Sequence, residues 1–202
     1  MTKTAATSAP LHPLLAERWS PRAFDTNATV TDAQMTALLE AARWSPSANN
    51  SQPWRFLVAR RGTTEFATLF ATLAGGNQTW AGAAAALVLV AARTSDDEGR
   101  PMPWAGYDTG QAVAHLTTQA EHERLSVHQL GGFDKSAAAR SFDIDGTLEP
   151  VVVLALGVRG DRAALSAPLA ERERAPRTRL PLAQIVLPTA SYDDKRALPL
   201  SA

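Results

Sequence analysis

The segment from residue 44 to residue 56 carries the densest group of side chains that could hold a polar ligand. Its central hydroxyl and amide groups can both donate and accept hydrogen bonds: Ser47, Asn49, Asn50, Ser51 and Gln52. Pro46 and Pro53 restrict the backbone on either side of them. Two interpretations of the segment alone remain open, because such residues also form ordinary turns. It is either a polar connector after a helix or a loop shaped around a ligand.

Two pairs of arginines could bind phosphate. Arg18 and Arg22 lie near the start of the chain, and Arg177 and Arg179 lie near its end. A guanidinium group can donate two parallel hydrogen bonds to a phosphate, although arginines in a solvated tail would give the same pattern. The glycine pair at 131–132 would let backbone N–H groups approach a flat acceptor closely. Together these groups indicate a polar, phosphorylated, planar cofactor.

Other kinds of chemistry have little support in the sequence. None of the 202 residues is a cysteine, which excludes disulfides, thiolate catalysis and iron–sulfur clusters. No dinucleotide-binding, Walker A or G-x-S-x-G motif occurs. His115 and His122 share one face of a predicted helix, but surface or hydrogen-bonded histidines are the simpler interpretation, and we predict no metal site. The formal net charge of +0 and the acidic residues Glu171 and Glu173 among the C-terminal arginines argue against nucleic acid as a partner.

The hydrophobic pattern predicts strands alternating with helices. Thr31 and Gln34 form a capping box before a helix whose apolar residues recur at helical spacing. Apolar runs bounded by turn residues predict strands at 54–60, 86–92 and 151–157, and residues 126–130 are predicted to be short and extended. Further helices are predicted at 11–17, 63–73, 108–125, 135–142 and 168–173, with the glycine pair 75–76 ending the second of these and one more helical turn at 77–82. The pattern is that of an α/β or α+β chain.

The chain is predicted to form one domain. Residues 1–10 are predicted to be a loose tail and residues 11–202 a single domain. Within that domain, residues 160–202 show little periodicity and are predicted to be an extended arm. The tail lacks an apolar core of signal-peptide length, and the apolar run 81–92 is too short to span a bilayer. We therefore expect a cytoplasmic protein without a membrane partner.

Five segments, in order along the chain, resemble motifs of the FMN-dependent nitroreductase family. They are Arg-Trp-Ser-Pro-Arg-Ala-Phe at 18–24, the polar loop at 45–54, Asn77 with Trp80, His-Gln-Leu-Gly-Gly-Phe-Asp at 128–134, and Ala-Pro-Arg-Thr-Arg-Leu-Pro at 175–181. The resemblance spans about residues 14–185. The polar run 121–124 departs from the small apolar residues common in relatives, which leaves open how the end of the long helix packs.

The resemblance implies an α+β fold with a mainly antiparallel central sheet flanked by helices. It also implies an interlocked homodimer, with the arm 160–202 wrapped around the partner and two FMN molecules at the interface. One subunit would supply most of the FMN-binding residues: Arg18, Trp19, Ser20, Arg22, Asn77, Leu130, Gly131, Gly132, Arg177 and Arg179. The other subunit would supply Pro46, Ser47, Ala48 and Asn50.

Within this implied site, four residues would hold the FMN phosphate: Arg18, Ser20, Arg177 and Arg179. Arg22 would lie near the pyrimidine edge of the ring and favour negative charge there, and Asn77 could bond the same edge. An N–H of Gly131 or Gly132 would point at flavin N5 or O4. Trp80 stands where some relatives have lysine, which leaves Arg22 as the one cation predicted close to the ring.

The implied activity is hydride transfer from NAD(P)H, through flavin N5, to an electron-poor small molecule such as a nitroaromatic or a quinone. Other uses of the scaffold stay open: ene reduction, dehydrogenation, reductive dehalogenation, or flavin binding without turnover. No side chain is predicted to be catalytic, because the flavin carries the redox step. Trp104 and Tyr107 are predicted to shape the acceptor pocket by stacking, and packing at the helix start is the alternative.

Overall fold

The structure, a computed structural model, describes residues 3–187. Residues 1–2 of the predicted tail and residues 188–202 of the predicted arm lie outside the described residues. Four strands form one sheet: β1 (Trp54–Arg60), β2 (Ala86–Arg93), β3 (Ser126–Leu130) and β4 (Leu148–Gly157). Their order is β1-β2-β4-β3, and each neighbouring pair is antiparallel. The predicted α+β class with an antiparallel central sheet is confirmed.

Helices cover both faces of this sheet. They are α1 (Pro13–Glu17), α2 (Asp32–Arg43), α3 (Thr64–Ala71), α4 (Gly75–Ala81), α5 (Ala105–His122), α6 (Lys135–Ser141) and α7 (Ala167–Arg174). Single 3-10 turns occur at Ala48–Asn50, Arg162–Ala164 and Leu182–Gln184. Within residues 3–187, no helix is long and apolar enough to cross a membrane.

The central strand β2 explains why the predicted strand at 86–92 is a continuous apolar run. Its alternate residues Val88 and Val90 join a core with Leu38 of α2 and Leu116 of α5. Leu87 and Leu89 enter a second core on the opposite face, which also contains buried residues of α3, α4, α6 and α7. Successive side chains of a strand point to opposite faces, so a strand covered on both sides must be apolar at every position.

Two helix boundaries differ from the sequence prediction. The predicted stop at Gly75 and Gly76 is wrong, because α4 begins at Gly75. The first helical positions have backbone N–H groups without intrahelical partners, so glycine costs less there than in a helix interior. The long helix α5 runs from Ala105 to His122 instead of 108–125. It ends because Arg124 takes a left-handed backbone with φ of 59°.

The N-terminal segment that carries Arg18 and Arg22 is attached to the end of β4. Phe24 forms an isolated antiparallel bridge with Arg159. The Asp25 N–H donates to the Val158 carbonyl at 2.9 Å, and the Gly160 N–H donates to the Ala23 carbonyl at 3.0 Å. The segment therefore extends the sheet's hydrogen bonding beyond β4 and takes its position from it.

The close approach at Gly160 gives a test of this attachment. A Cβ at Gly160 would lie 2.5 Å from the carbonyl carbon and oxygen of Phe24 and 2.8 Å from the Asp25 nitrogen. Backbone atoms cannot rotate away, so Gly160→Ala should lower the free energy of unfolding by about 1–3 kcal/mol. A Cβ at Gly146 meets nothing within 4 Å, which makes Gly146→Ala the matched control. Urea unfolding of both variants measures the difference. Equal free energies of unfolding for Gly160→Ala and Gly146→Ala would contradict the attachment of the N-terminal segment to β4.

Candidate functional site

Two side chains, the buried Glu173 and the half-buried His128, fix the segment around Arg22. The Glu173 carboxylate is 5% exposed and accepts the N–H groups of Arg22, at 3.0 and 3.3 Å, and of Ala23, at 3.3 Å. The His128 Nδ1 lies 2.8 Å from the Pro21 carbonyl oxygen. Glu173 belongs to α7 and His128 to β3, so the segment is held from two directions.

The arginines of the two predicted phosphate-binding segments come together. Arg177 donates from Nη1 to the carbonyl oxygens of Lys3, at 2.7 Å, and Ala16, at 2.6 Å. Burial lowers the pKa of Arg177, and the positive charges of Arg18 and Arg179 lower it further. Arg177 is therefore close enough to Arg18 and to Arg179 to be repelled by both, while the negative charge of Glu121 opposes the lowering of its pKa. This repulsion would be relieved by an anion bound among the three guanidinium groups.

Further contacts surround this arginine cluster, which we define as Arg18, Arg177 and Arg179. Arg18 Nη1 lies 3.5 Å from Ser20 Oγ. The Trp19 ring lies between Lys3 Nζ, 4.7 Å from its centroid, and the Arg159 guanidinium carbon, 5.9 Å away. The Trp19 Nε1 atom is buried and has no hydrogen-bond partner among the described residues. Residues 3–5 of the predicted loose tail also contact α1, since the Ala5 N–H donates to the Ala16 carbonyl at 2.8 Å.

The polar end of α5, whose packing the sequence left open, turns inward at Glu121. Its side chain is only 6% exposed and pairs with Arg159 at 2.7 Å. Burial raises the pKa of Glu121, while Arg159, Ser126 and Arg18 oppose that shift. His122 and Arg124 are exposed. The departure from small apolar residues is thus accommodated by a buried ion pair next to the arginine cluster.

Asn77 and the glycine pair meet at the end of β3. The Asn77 Nδ2 donates to the Gly132 carbonyl at 2.9 Å, and the Ala74 N–H donates to the same oxygen at 3.0 Å. A Cβ at Gly132 would lie 3.1 Å from the Asn77 amide nitrogen, whereas one at Gly131 would meet nothing within 4 Å. Leu130, which precedes them, is buried in the core. The backbone at Gly131 therefore faces open space beside a fixed amide.

The polar loop at 44–53 is held to α5 by a residue that the sequence analysis missed. The Ala48 N–H donates to Asp108 Oδ2 at 3.0 Å, and Asp108 is 3% exposed. Asn49, Asn50 and Gln52 all adopt positive φ, between 47° and 54°. The Gln52 N–H donates to Ser47 Oγ at 3.0 Å, which closes the loop. The loop is thus an ordered turn whose polar tip faces outward.

Other predicted residues of this region are exposed. Pro46 and Asn50 lie at the surface, and Ser47 and Ala48 are half-buried. Trp104 is 61% and Tyr107 is 67% exposed, and their rings meet edge-on with centroids 6.4 Å apart. Neither ring is buried in the core of its own chain. The first turn of α5 places them next to Asp108, and hence next to the polar loop.

One chain does not bring the two predicted halves of the site together. The polar loop leads into β1, at one edge of the sheet, and the glycine pair follows β3, at the other edge. Three inter-strand spacings separate these edges, about 14 Å in all. Arg22 shares a cleft with residues of α4, the helix of Asn77, and Asn77 contacts Gly132, whereas the polar loop with Trp104 and Tyr107 lies towards the other edge.

Sequence reasoning also missed the positioning roles of His128 and Glu173. A usable signal existed for Glu173, which follows Leu169 and Ala170 by four and three residues and so shares their buried helix face. A charged residue on an apolar face must find partners when it is buried. His128 lies between the buried Val127 and the exposed Gln129 in a short strand and carried no comparable signal.

Comparison with known proteins places this geometry in a family. The model of the Nitroreductase family matches residues 15–74. A solved oxidoreductase containing FMN is 34% identical with a TM-score of 0.87, over 93% of this chain and 96% of its own. The chain belongs to the nitroreductase family.

Further relatives of this nitroreductase-family chain extend the comparison. A protein from Exiguobacterium sibiricum, solved in complex with FMN, is 24% identical with a TM-score of 0.72, over 94% of this chain and 100% of its own. An uncharacterized 15.4 kDa protein of Mycolicibacterium smegmatis is 40% identical over 65% of this chain and 92% of its own. A Bacillus subtilis protein, provisionally named an NAD(P)H nitroreductase, is 26% identical over 74% of this chain and 88% of its own.

The environment of His128 predicts a dependence of stability on pH. Burial lowers the pKa of His128 from its ordinary value of 6.5, and the charge of Arg22 lowers it further. The folded state therefore favours neutral imidazole. This contribution to stability is complete above pH 6.5 and is lost as the pH falls from there through the lowered pKa.

His128→Asn removes the titration and keeps an amide donor near the Nδ1 position. Urea unfolding of the flavin-free protein at pH 8 and pH 5.5, at one protein concentration, measures the difference. Wild type should lose more free energy of unfolding between these two pH values than His128→Asn. Parallel losses in the two proteins would show that His128 does not titrate as a buried neutral group.

Proposed function

We propose that this protein is a homodimeric FMN-dependent oxidoreductase that passes reducing equivalents from NAD(P)H to an electron-poor small molecule. The observation that carries the proposal is that Arg22, Thr79 and Trp80 line one cleft, which brings the segment of Arg18 and Arg22 next to the helix that carries Asn77. The family membership and the FMN-containing relative with 34% identity support it independently. The name of the Bacillus subtilis relative supports NAD(P)H as the reductant.

The described residues suit FMN at both ends of that molecule. Arg177 is repelled by the charges of Arg18 and Arg179, and none of the three forms an ion pair within residues 3–187. A phosphate bound among them would neutralise this positive charge. The open space at Gly131 leaves its backbone accessible to a flat ring. Asn77 uses one amide hydrogen on Gly132, which leaves its oxygen and second hydrogen for a ligand.

Each residue then has a binding task and none needs to act as nucleophile or general base. The arginine cluster and Ser20 hold the phosphate, with Trp19 alongside them. Asn77, Gly131 and Gly132 would orient the ring. The redox chemistry, acceptance and transfer of hydride, would be supplied by FMN when it is bound. Arg22 places a positive charge near the pyrimidine edge, which stabilises negative charge that develops there.

A second copy of the chain is proposed to complete the site. Its polar loop, through Pro46, Ser47, Ala48 and Asn50, would cover the side of the ring that the first chain leaves open. The about 14 Å between the edges of one sheet favours this arrangement over a site within one chain. The arm carries exposed apolar residues that need a covering surface: Leu180, Leu182, Ile185 and Leu187.

The acceptor is proposed to be a flat, electron-poor molecule such as a nitroaromatic or a quinone. Trp104 and Tyr107 present exposed rings next to the polar loop, where such a molecule could stack. A flat site of this kind selects by shape and electron demand, with few directional hydrogen bonds.

Flavin reduction tests the proposed function directly. The purified protein should bind FMN, bleach under anaerobic conditions with NADH or NADPH, and regain its colour when a nitroaromatic or quinone is added. Bound FMN that does not bleach with either nucleotide would indicate flavin binding without turnover. Failure to bind FMN at all would refute the proposal.

The arginine cluster gives a more specific test. Arg179→Ala should weaken FMN binding about tenfold or more, because a charged hydrogen bond contributes about 1.5–3 kcal/mol. Arg179 suits this test better than Arg177, which also holds Lys3 and Ala16. Arg172→Ala, at an exposed position of α7, is the matched control. Equal FMN dissociation constants for the two variants would exclude Arg179 from the phosphate site.

A further inference from the structure

The peptide group between Pro21 and Arg22 is held at both of its polar atoms. Its carbonyl oxygen lies 2.8 Å from His128 Nδ1, and its N–H donates to the Glu173 carboxylate at 3.0 and 3.3 Å. A carbonyl oxygen only accepts, so Nδ1 carries the proton in this contact. One peptide plane is thus fixed by two side chains that lie 107 and 151 residues away in sequence.

Both side chains are themselves fixed. The His128 ring packs against Trp80 with centroids 4.6 Å apart, and Trp80 is 5% exposed. Glu173 is almost completely buried and also accepts the Ala23 N–H. A carboxylate in such a place keeps its geometry, because losing either N–H would leave a buried charge unsatisfied. The backbone that carries Arg22 therefore has little freedom to move.

The side chain of Arg22, in contrast, has no polar partner among the described residues. Within residues 3–187, its guanidinium makes no hydrogen bond or ion pair. It lines a cleft of about 580 Å³ together with Thr79 and Trp80. Asp25 and Asp161 line other parts of the cleft, and each of these carboxylates already accepts a backbone N–H of its own turn. Arg22 is thus a cation on a fixed backbone, available to a ligand.

We propose that His128 and Glu173 are positioning residues that set the distance between Arg22 and bound FMN, and through it the preference of the site for reduced over oxidised flavin. This inference rests on the proposed function. Neither residue touches the flavin in this account. Both act through the Pro21–Arg22 peptide.

Small displacements of Arg22 are enough to matter. The attraction between two opposite charges falls with distance, and moving a cation from about 4 to about 6 Å from a negative charge weakens it by about tenfold in an equilibrium constant at an effective dielectric of about 20. Reduced flavin carries the added negative charge at the pyrimidine edge, so oxidised flavin is affected less. Loss of either contact should therefore change the ratio of the two affinities.

The test compares Glu173→Gln with Glu171→Gln. Glutamine at 173 replaces one carboxylate oxygen by an NH2 group, which cannot accept a hydrogen bond from the Arg22 N–H. Glu171 lies on the same helix, with a side chain that is 74% exposed and paired with Arg174, so it controls for the substitution itself. The FMN-loaded proteins are titrated for the reduction potential of bound flavin, which gives the ratio of affinities for reduced and oxidised FMN.

Glu173→Gln should lower this ratio by about tenfold, equivalent to about 30 mV for a two-electron couple, and Glu171→Gln should leave it unchanged. Hydrogen exchange of the Arg22 amide provides a readout that needs no flavin. Its protection should fall at least about tenfold in Glu173→Gln alone, since the hydrogen bond that protects it is weakened.

A second pair of variants separates the donor of His128 from its ring. His128→Phe keeps the packing on Trp80 and loses the donor, so it should lower the affinity ratio as Glu173→Gln does. His128→Asn keeps a donor near Nδ1 and should restore most of the ratio. If His128 acted only through packing of its ring, His128→Asn, which loses the ring, would lower the affinity ratio at least as much as His128→Phe.

The outcomes distinguish this inference from the proposed function. A wild-type protein that does not bind FMN refutes the proposed function, and the inference with it. A wild-type protein that binds and reduces FMN, with the same affinity ratio in Glu173→Gln, His128→Phe and Glu171→Gln, refutes the inference alone. A lowered ratio in the first two, with rescue by His128→Asn, supports it.

Discussion

Burial of the Glu173 carboxylate is the constraint on which the arrangement of the candidate site depends. A buried charge is costly unless it is paired, and Glu173 is paired by backbone N–H groups of Arg22 and Ala23. This contact ties α7, at the start of the arm, to the N-terminal segment. Arg177 then reaches back to Lys3 and Ala16. The two arginine pairs, far apart in sequence, meet because of these ties.

The four-stranded sheet imposes the second constraint. Its middle strands are covered by helices on both faces, so the candidate site is confined to its margins. The glycine pair lies at one margin and the polar loop at the other. Asp108 fixes the loop to α5 at its own edge and so prevents it from folding across the sheet. A site that needs both halves must therefore draw on two chains, which is the arrangement we propose.

Much of this was predictable from the sequence, for identifiable reasons. The strand at 54–60 was predicted to the residue because Pro53 precedes its apolar run, and residues 126–130 were predicted to be extended because Gly131 follows them. The start of α4 was not predicted, because glycine is a weak helix former whose energetic cost depends on its position within the helix. The sequence analysis assigned no contact to Glu173 or Asp108, since only the tertiary structure reveals which backbone N–H group a buried carboxylate meets. The meeting of Asn77 with Gly132 rests on a similar long-range contact, and there the family motifs supplied what local patterns lack.

The central claim is that each flavin site is shared between two chains, and mixed dimers test it most directly. One chain carries Arg18→Ala and Arg179→Ala, and the other carries Ala48→Glu in the polar loop. FMN is supplied at a concentration at which neither homodimer binds it. In a mixed dimer with shared sites, one site contains both defects and the other contains none, so about one FMN per mixed dimer should bind. No recovery of FMN binding in a mixed dimer that has been shown to form would contradict the account, because each site would then be built from a single defective chain.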